Sequence, residues 1–161
     1  MGYSGAGKST LAEILGEQYS LPVLHLDATY WYGDWQHRTR EEQSDIVRKF
    51  MDDNADGWVI DGNYYKICLE RFSECDAIYF LNYNRFFCLR QAIKRYKKYK
   101  GCVRPDCPCL EKFDAEFVRW LLYKGRTRGK RKKYKEILST VTGNKFIFKN
   151  RKQLEKHLKT I

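Results

Sequence analysis

The first residues of the chain contain a pattern suited to binding phosphate. Residues 2–9 satisfy the spacing G-x-x-x-x-G-K-[ST]. Glycines permit a tight turn whose backbone N–H groups point inward, the lysine reaches β- and γ-phosphate oxygens, and the serine hydroxyl can ligate Mg²⁺. The spacing predicts a triphosphate-binding loop built from Gly2, Tyr3, Ser4, Gly5, Ala6, Gly7, Lys8, Ser9 and Thr10.

A glycine-rich turn with an ordinary surface lysine is the alternative interpretation. The amphipathic segment Lys8–Tyr19 follows at once and favours the phosphate loop, since the positive end of a helix dipole attracts anions. Such a loop normally follows a central strand, yet only Met1 precedes Gly2. We therefore expect the first strand to be missing from this chain.

Two carboxylates come directly after short apolar runs. Asp27 follows Val23–Leu26 and Asp61 follows Trp58–Ile60. Ligands of open α/β sheets bind at the carboxyl ends of the strands. Asp61 is predicted to organise Mg²⁺ and Asp27 to position the acceptor and take its proton, as phosphoryl transfer requires. The alternative is that each aspartate only caps a turn.

The apolar pattern alternates between strand and helix periods, which predicts an α/β fold with a parallel sheet flanked by helices. The predicted strands are Pro22–Leu26, Trp58–Ile60, Ala77–Leu81 and Lys145–Phe148. Besides Lys8–Tyr19, helices are predicted after a Thr39–Glu42 capping box, over 65–74 and 86–99, around Phe117 and Tyr134, and after an Asn150–Gln153 cap. Phe113, Phe117 and Trp120 are predicted to belong to the core.

Length and charge narrow the class of protein. The chain has 161 residues, the size of a single domain, and 43% of them are hydrophobic, enough to form a core. Residues 1–84 carry seven Lys and Arg against fourteen Asp and Glu, whereas residues 85–161 carry twenty-four against six. The sequence shows no long apolar run and no export signal, and its six cysteines are interpreted as reduced thiols. These features predict a cytoplasmic protein without a membrane partner.

Several of these segments together resemble a known group. They are the phosphate loop, His25-Leu-Asp27 followed by Tyr30-Trp31 and Trp35, Trp58-Val-Ile-Asp61-Gly-Asn63-Tyr64, and Asp76–Leu81. The sequence resembles the adenylate-kinase-related P-loop proteins called topology modulation proteins. The resemblance implies the P-loop NTPase fold with strand order 2-3-1-4-5, a bound purine triphosphate, and a mobile helical lid between the fourth and fifth strands. The lid corresponds here to an insertion at about 96–130.

Two basic runs in the second half of the chain, at residues 90–100 and 126–135, allow three interpretations. They can be solvated helix faces, lid arginines that clamp phosphates, or a DNA-binding surface. In nucleotide kinases the lid contributes arginines, and the resemblance makes Arg95, with Arg104, Arg126 or Arg128, the candidates. Because no recognised nucleic-acid module surrounds the runs, nucleic acid is the secondary partner.

Aromatic and cysteine residues leave further alternatives open. Tyr30, Trp31, Tyr32 and Trp35 could stack on an acceptor or lie partly buried beneath it. Cys102, Cys107 and Cys109 lie in the predicted lid, but structural zinc usually needs a fourth ligand, for which Asp106 or Asp114 would have to serve.

The sequence thus predicts a P-loop kinase that uses ATP and Mg²⁺ to phosphorylate a small acceptor such as a nucleoside or nucleotide. The rival prediction is a nucleotide-binding regulator with little turnover that contacts DNA through its basic half.

Overall fold

A computed structural model describes residues 1–33 and 36–161. The helices are α1 (Lys8–Tyr19), α2 (Leu26–Tyr30), α3 (Arg40–Asp53), α4 (Arg71–Glu74), α5 (Arg85–Tyr99), α6 (Ala115–Leu122), α7 (Arg128–Thr140) and α8 (Arg151–Leu158), with a 3₁₀ turn at Lys124–Arg126. The strands are β1 (Val23–His25), β2 (Val59–Asp61), β3 (Ala77–Leu81), β4 (Val103–Arg104), β5 (Cys107–Leu110) and β6 (Asn144–Phe148). Parallel strands and flanking helices confirm the α/β class.

The chain forms two compact units. Unit 1 comprises residues 1–7, 72–98 and 112–161, and unit 2 comprises residues 8–71 and 99–111. The single domain with a lid at about 96–130, and the order 2-3-1-4-5, stay predictions.

Unit 2 contains the parallel pair β1–β2, in which His25 lies opposite Asp61. Helix α1 packs against both strands. The core beneath them consists of Leu26, Val47, Met51, Ile67 and Cys68. Leu26 and Val47 are fully buried, so the segment that carries Asp27 begins at a tightly packed position.

A two-stranded hairpin also belongs to unit 2. β4 and β5 pair antiparallel, with Arg104 opposite Cys107, so that Pro105 and Asp106 form the turn. Half-buried Arg104 pairs with Glu111 at 2.8 Å and with Asp106 at 3.3 Å. Within the predicted helical lid at about 96–130, residues 103–110 thus form a hairpin that the sequence did not predict, and ion pairs across its turn stabilise the extended backbone.

Unit 1 contains the parallel pair β3–β6. Residues 1 and 2 continue this pairing on the side of β3: the Met1 nitrogen donates to the Tyr79 carbonyl at 2.8 Å, the Leu81 N–H donates to the Met1 carbonyl at 3.0 Å, and Gly2 lies beside Leu81 in parallel. The first two residues thus occupy a strand position at the start of the predicted phosphate loop.

The predicted helix caps are confirmed. The Thr39 hydroxyl accepts from the Glu42 N–H while the Glu42 carboxylate accepts from the Thr39 N–H, and the Asn150 side chain accepts from the Gln153 N–H.

Trp120 was wrongly predicted to lie in the core, since it is 38% exposed and the neighbouring Leu121 is buried instead. No helix within residues 1–33 and 36–161 has the length and apolar character needed to cross a bilayer.

Candidate functional site

The predicted phosphate loop adopts a conformation that requires glycine. Gly5 and Gly7 have φ angles of +74° and +89°, in the region that disfavours side chains. A Cβ at Gly5 would collide with the Cys88 carbonyl oxygen, whereas a Cβ at Gly7 would meet open space. The Ala6 N–H donates to the Tyr3 carbonyl at 3.1 Å and closes the turn. The loop is therefore held from one side at Gly5 and accessible at Gly7.

Tyr3 contributes backbone, not its ring, to the exposed side of this loop. The ring is buried and packs edge-on against Tyr134 at 5.6 Å between centroids, with Phe80 at 6.1 Å. The residue at the second position of the motif thus anchors the loop in the aromatic core of unit 1.

The first turn of α1 brings two predicted site residues together. Lys8 begins the helix, and the Ser9 hydroxyl donates to Asp61 Oδ2 at 2.8 Å. Asp61 is the last residue of β2, as expected for a ligand-binding strand end. The two residues are 52 positions apart in the sequence, and their joint role around Mg²⁺ stays a prediction.

Asp61 is a buried carboxylate stabilised as an anion. Burial alone would raise the pKa of Asp61, but the hydrogen bond from His25, the charge of Lys8 and the hydrogen bond from Ser9 outweigh it and lower the pKa to about 2. Its second oxygen, Oδ1, is buried and has no hydrogen-bond partner among the described residues. A buried acceptor that lacks a donor is costly, so this atom is suited to a ligand.

His25 and Glu13 are site residues that the sequence reasoning missed. His25 Nδ1 lies 3.4 Å from Asp61 Oδ2, and Nε2 lies 2.6 Å from Glu13 Oε1. The hydrogen bond to Asp61 is the main cause that raises the pKa of His25 to about 9, although burial opposes it. In the structure His25 ends β1 as Asp61 ends β2, so parallel pairing sets them side by side, which the predicted bounds Pro22–Leu26 and Trp58–Ile60 did not show.

Asp27 lies in the first turn of α2, directly after β1. The Tyr64 hydroxyl donates to Asp27 Oδ1 at 2.7 Å, and burial together with the Asp27 charge raises the pKa of Tyr64. The Tyr64 carbonyl in turn accepts from buried Arg71 at 2.8 Å. The segment after β2 thus fixes the orientation of the predicted acceptor-positioning carboxylate.

Gly62 permits this arrangement. Its φ angle is +146°, and an added Cβ would lie 2.7 Å from the Leu26 Cβ. Only glycine lets the backbone after Asp61 approach the residue that precedes Asp27 so closely.

The aromatic residues after Asp27 form a cluster beside Tyr64. Tyr30 stacks on His37 at 5.0 Å between centroids and contacts Trp31 and Tyr64. Tyr32 is 53% exposed, and Trp35 lies outside the described residues. Stacking on an acceptor stays a prediction.

The predicted phosphate-clamping arginines lie in different environments. Arg95 lies over the Phe117 ring at 5.8 Å, and Arg128 is exposed at the start of α7. Arg126 is buried: its guanidinium lies 3.7 Å from the Tyr3 ring centroid and donates to the Tyr83 carbonyl and to Cys88 Sγ. The prediction that Arg126 clamps phosphates therefore requires it to leave these contacts.

The donor set fits magnesium better than zinc. A serine hydroxyl and a carboxylate with an unpartnered buried oxygen are hard oxygen ligands of the kind Mg²⁺ prefers. Of the three cysteines considered as zinc ligands, Cys102 is exposed while Cys107 and Cys109 are buried. Among the described residues no group of three or more His, Cys, Asp or Glu side chains is arranged to hold a metal ion.

Comparisons with known proteins give similarities to solved structures alone. No protein-family model and no curated protein matches the sequence. Among solved structures, the chain is similar to deoxyadenosine kinase from M. mycoides with bound dCTP, at a TM-score of 0.49 and 12% identity, over 100% of this chain and 97% of that chain. The resemblance to topology modulation proteins stays a prediction.

Proposed function

We propose that this protein is an ATP-dependent phosphotransferase that moves the γ-phosphoryl group to a hydroxyl of a small acceptor, of nucleoside or nucleotide type. The observation that carries the proposal is the Ser9–Asp61 hydrogen bond of 2.8 Å directly after the glycine-rich loop. Metal-assisted phosphoryl transfer uses a loop serine and a strand-end aspartate in this way.

The proposed roles follow from the chemistry of each group. The loop amides and Lys8 hold the triphosphate, and Ser9 with Asp61 would hold Mg²⁺, which when bound neutralises phosphate charge. The acceptor oxygen bonds to the γ-phosphorus as the bond to the β–γ bridging oxygen breaks, and the hydroxyl proton passes to Asp27. Tyr64 already occupies Asp27 Oδ1, so we assign the proton to Oδ2. Arg95 and Arg128 are the proposed phosphate clamps.

ATP consumption with a panel of nucleosides, nucleotides and other small hydroxyl compounds tests the proposal. We expect acceptor-dependent turnover in the wild type and its loss in Lys8→Ala and Asp61→Asn. Lys49→Ala and Asp53→Asn are matched controls, because these residues pair with each other on the exposed face of α3. Turnover that survives Lys8→Ala would contradict the proposal, as would the lack of ATP binding by folded protein in calorimetry.

The DNA-binding regulator remains the second candidate because basic residues dominate unit 1. That unit carries 22 Lys and Arg against 6 Asp and Glu. DNA affinity that falls steeply with salt, combined with ATP binding and no turnover with any acceptor, would favour the regulator.

A further inference from the structure

Four polar side chains form a continuous chain of contacts in unit 2. Glu13 Oε1 lies 2.6 Å from His25 Nε2, His25 Nδ1 lies 3.4 Å from Asp61 Oδ2, and Ser9 Oγ donates to the same Oδ2 at 2.8 Å. Exposure falls along it, from 56% at the Glu13 side chain to 12% at His25 and 8% at Asp61. This series of contacts thus runs from the exposed Glu13 side chain to the buried Asp61 carboxylate.

One helix packed against one pair of parallel strands brings the four residues together. Ser9 and Glu13 are four positions apart in α1 and therefore lie on one face of the helix. His25 and Asp61 are partners at the ends of the parallel strands β1 and β2, against which α1 packs. Helix α1 thus presents two residues and the paired strands one each, and His25 bridges Glu13 and Asp61.

The two contacts at Asp61 are unequally distributed between its oxygens. His25 and Ser9 both approach Oδ2, whereas Oδ1 has no hydrogen-bond partner within residues 1–33 and 36–161. Two neighbours on one oxygen restrict rotation of the carboxylate about its Cβ–Cγ bond. The other oxygen is consequently presented in a single direction.

We propose that His25, braced by Glu13, is a positioning residue that holds Asp61 in the orientation in which Oδ2 engages Ser9 and Oδ1 is left for a divalent cation or its bound water. The inference rests on the proposed function, since it concerns the metal of the nucleotide complex. Groups that orient metal-binding carboxylates are typically worth 10- to 100-fold in metal affinity or activity.

The test compares nucleotide binding with and without a divalent metal. ATP affinity is measured by calorimetry in excess chelator and in Mg²⁺, and Mn²⁺ binding to the protein–ATP complex is measured from the free Mn²⁺ signal in electron paramagnetic resonance. For His25→Leu we expect about a 10-fold or greater loss of Mn²⁺ affinity. Metal-free ATP affinity should stay within about two-fold, because the loop amides do not depend on His25.

Two further variants separate positioning from packing. In His25→Asn the amide nitrogen replaces Nδ1 near Asp61, so we expect Mn²⁺ affinity to recover to within about three-fold of the wild type. Glu13→Ala removes the exposed brace without disturbing the core and should weaken Mn²⁺ binding in the same direction as His25→Leu. Glu17→Ala, one turn further along α1 and exposed, is the matched control.

Three results would overturn the inference. Unchanged Mn²⁺ affinity in both His25→Leu and Glu13→Ala would contradict the inference. Equal losses of metal-free and metal-dependent ATP affinity in His25→Leu would show that His25 has a structural role only. If the folded wild type binds no ATP under either condition, the proposed function fails first and the inference with it. If His25→Leu does not fold, Glu13→Ala and His25→Asn decide the question by the same readouts.

Discussion

At the scale of the residue, the charges of this protein are stabilised by specific neighbours. A buried carboxylate or guanidinium is costly unless donors or acceptors replace its lost water. Asp61 has His25, Ser9 and Lys8, and Arg126 has the Tyr83 carbonyl, Cys88 and the Tyr3 ring. Removal of one partner should therefore cost more than the hydrogen bond alone.

The first prediction concerns pH and His25. The pKa of His25 rises from 6.5 to about 9 on folding, so its contribution to stability is fully present below pH 6.5 and is lost as the pH rises through about 9. The pKa of Asp61 is lowered from 3.8 to about 2, so its contribution is present above pH 3.8 and is lost as the pH falls through about 2. Between pH 6.5 and 9 we expect the free energy of unfolding to fall by up to about 3 kcal/mol.

Urea unfolding in chelator at several pH values measures this change. His25→Asn cannot titrate, so it should be less stable than the wild type at pH 6 and should lose less stability up to pH 9. Parallel pH profiles for the two proteins would contradict the prediction.

The second prediction concerns Arg126. Lysine keeps the charge but cannot donate to the Leu121 and Tyr83 carbonyls and to Cys88 Sγ while it stacks on Tyr3, so a buried acceptor would lose its donor. We expect Arg126→Lys to lower the free energy of unfolding by about 2 kcal/mol, measured by urea denaturation, because one buried acceptor is left unpaired.

Arg128→Lys is the matched control for this change, since Arg128 is exposed and two residues away, and its effect should stay within about 0.5 kcal/mol. An Arg126→Lys protein with unchanged stability but reduced turnover would instead support the phosphate-clamping role.

At the scale of the element, short secondary structures carry the candidate site. β1 and β2 have three residues each and α2 has five, so their positions depend on how closely the connecting backbone packs. Gly62 contributes the closest approach, against Leu26. The segments that carry Asp61 and Asp27 can thus lie this close together because Gly62 has no side chain.

The third prediction follows from that approach. Gly62→Ala places a Cβ 2.7 Å from Leu26 Cβ at a residue with φ +146°, which requires the backbone to shift. We expect a loss of about 1 to 3 kcal/mol in chemical denaturation. Gly129→Ala in α7 is the control: its added Cβ meets nothing within 4 Å, and alanine in a helix should stabilise by up to about 1 kcal/mol. Equal effects at the two positions would refute this explanation.

At the scale of the whole molecule, charge is divided between the two units. Unit 2 carries 9 Lys and Arg against 14 Asp and Glu, whereas unit 1 carries 22 against 6. The exposed basic side chains of α7 include Lys132 and Lys135. Unit 1 therefore attracts polyanions irrespective of whether they are the physiological partner.

The fourth prediction is that oligonucleotide binding is weak and depends on salt. Fluorescence anisotropy at 50 and 200 mM salt should show affinity falling by at least about 10-fold, since binding to phosphates releases counterions. The Lys132→Ala/Lys135→Ala variant should reduce the slope of log affinity against log salt by about one for each phosphate that the removed lysines neutralise. Lys49→Ala in unit 2 should leave the slope unchanged, and binding that is insensitive to salt would exclude this mechanism.

The amino-acid order alone determined the features that depend on neighbours within a few positions. Loop glycines, the Thr39–Glu42 and Asn150–Gln153 caps, and the bounds of α1 and β3 could be predicted because each rests on interactions within about one helical turn or one strand. The candidate phosphate loop, with Ser9 and Asp61 as metal ligands, was predicted from the same local signals together with the rule for strand ends.

Tertiary structure decided what depends on distant partners. The His25–Asp61 contact joins residues 36 positions apart, and the bond from Arg126 to Tyr83 spans 43. No local pattern distinguishes a histidine that packs from one that bridges two carboxylates, or a solvated arginine from a buried one. These roles arise only when chain closure brings the partners together, because burial then removes the water that would otherwise satisfy each charge.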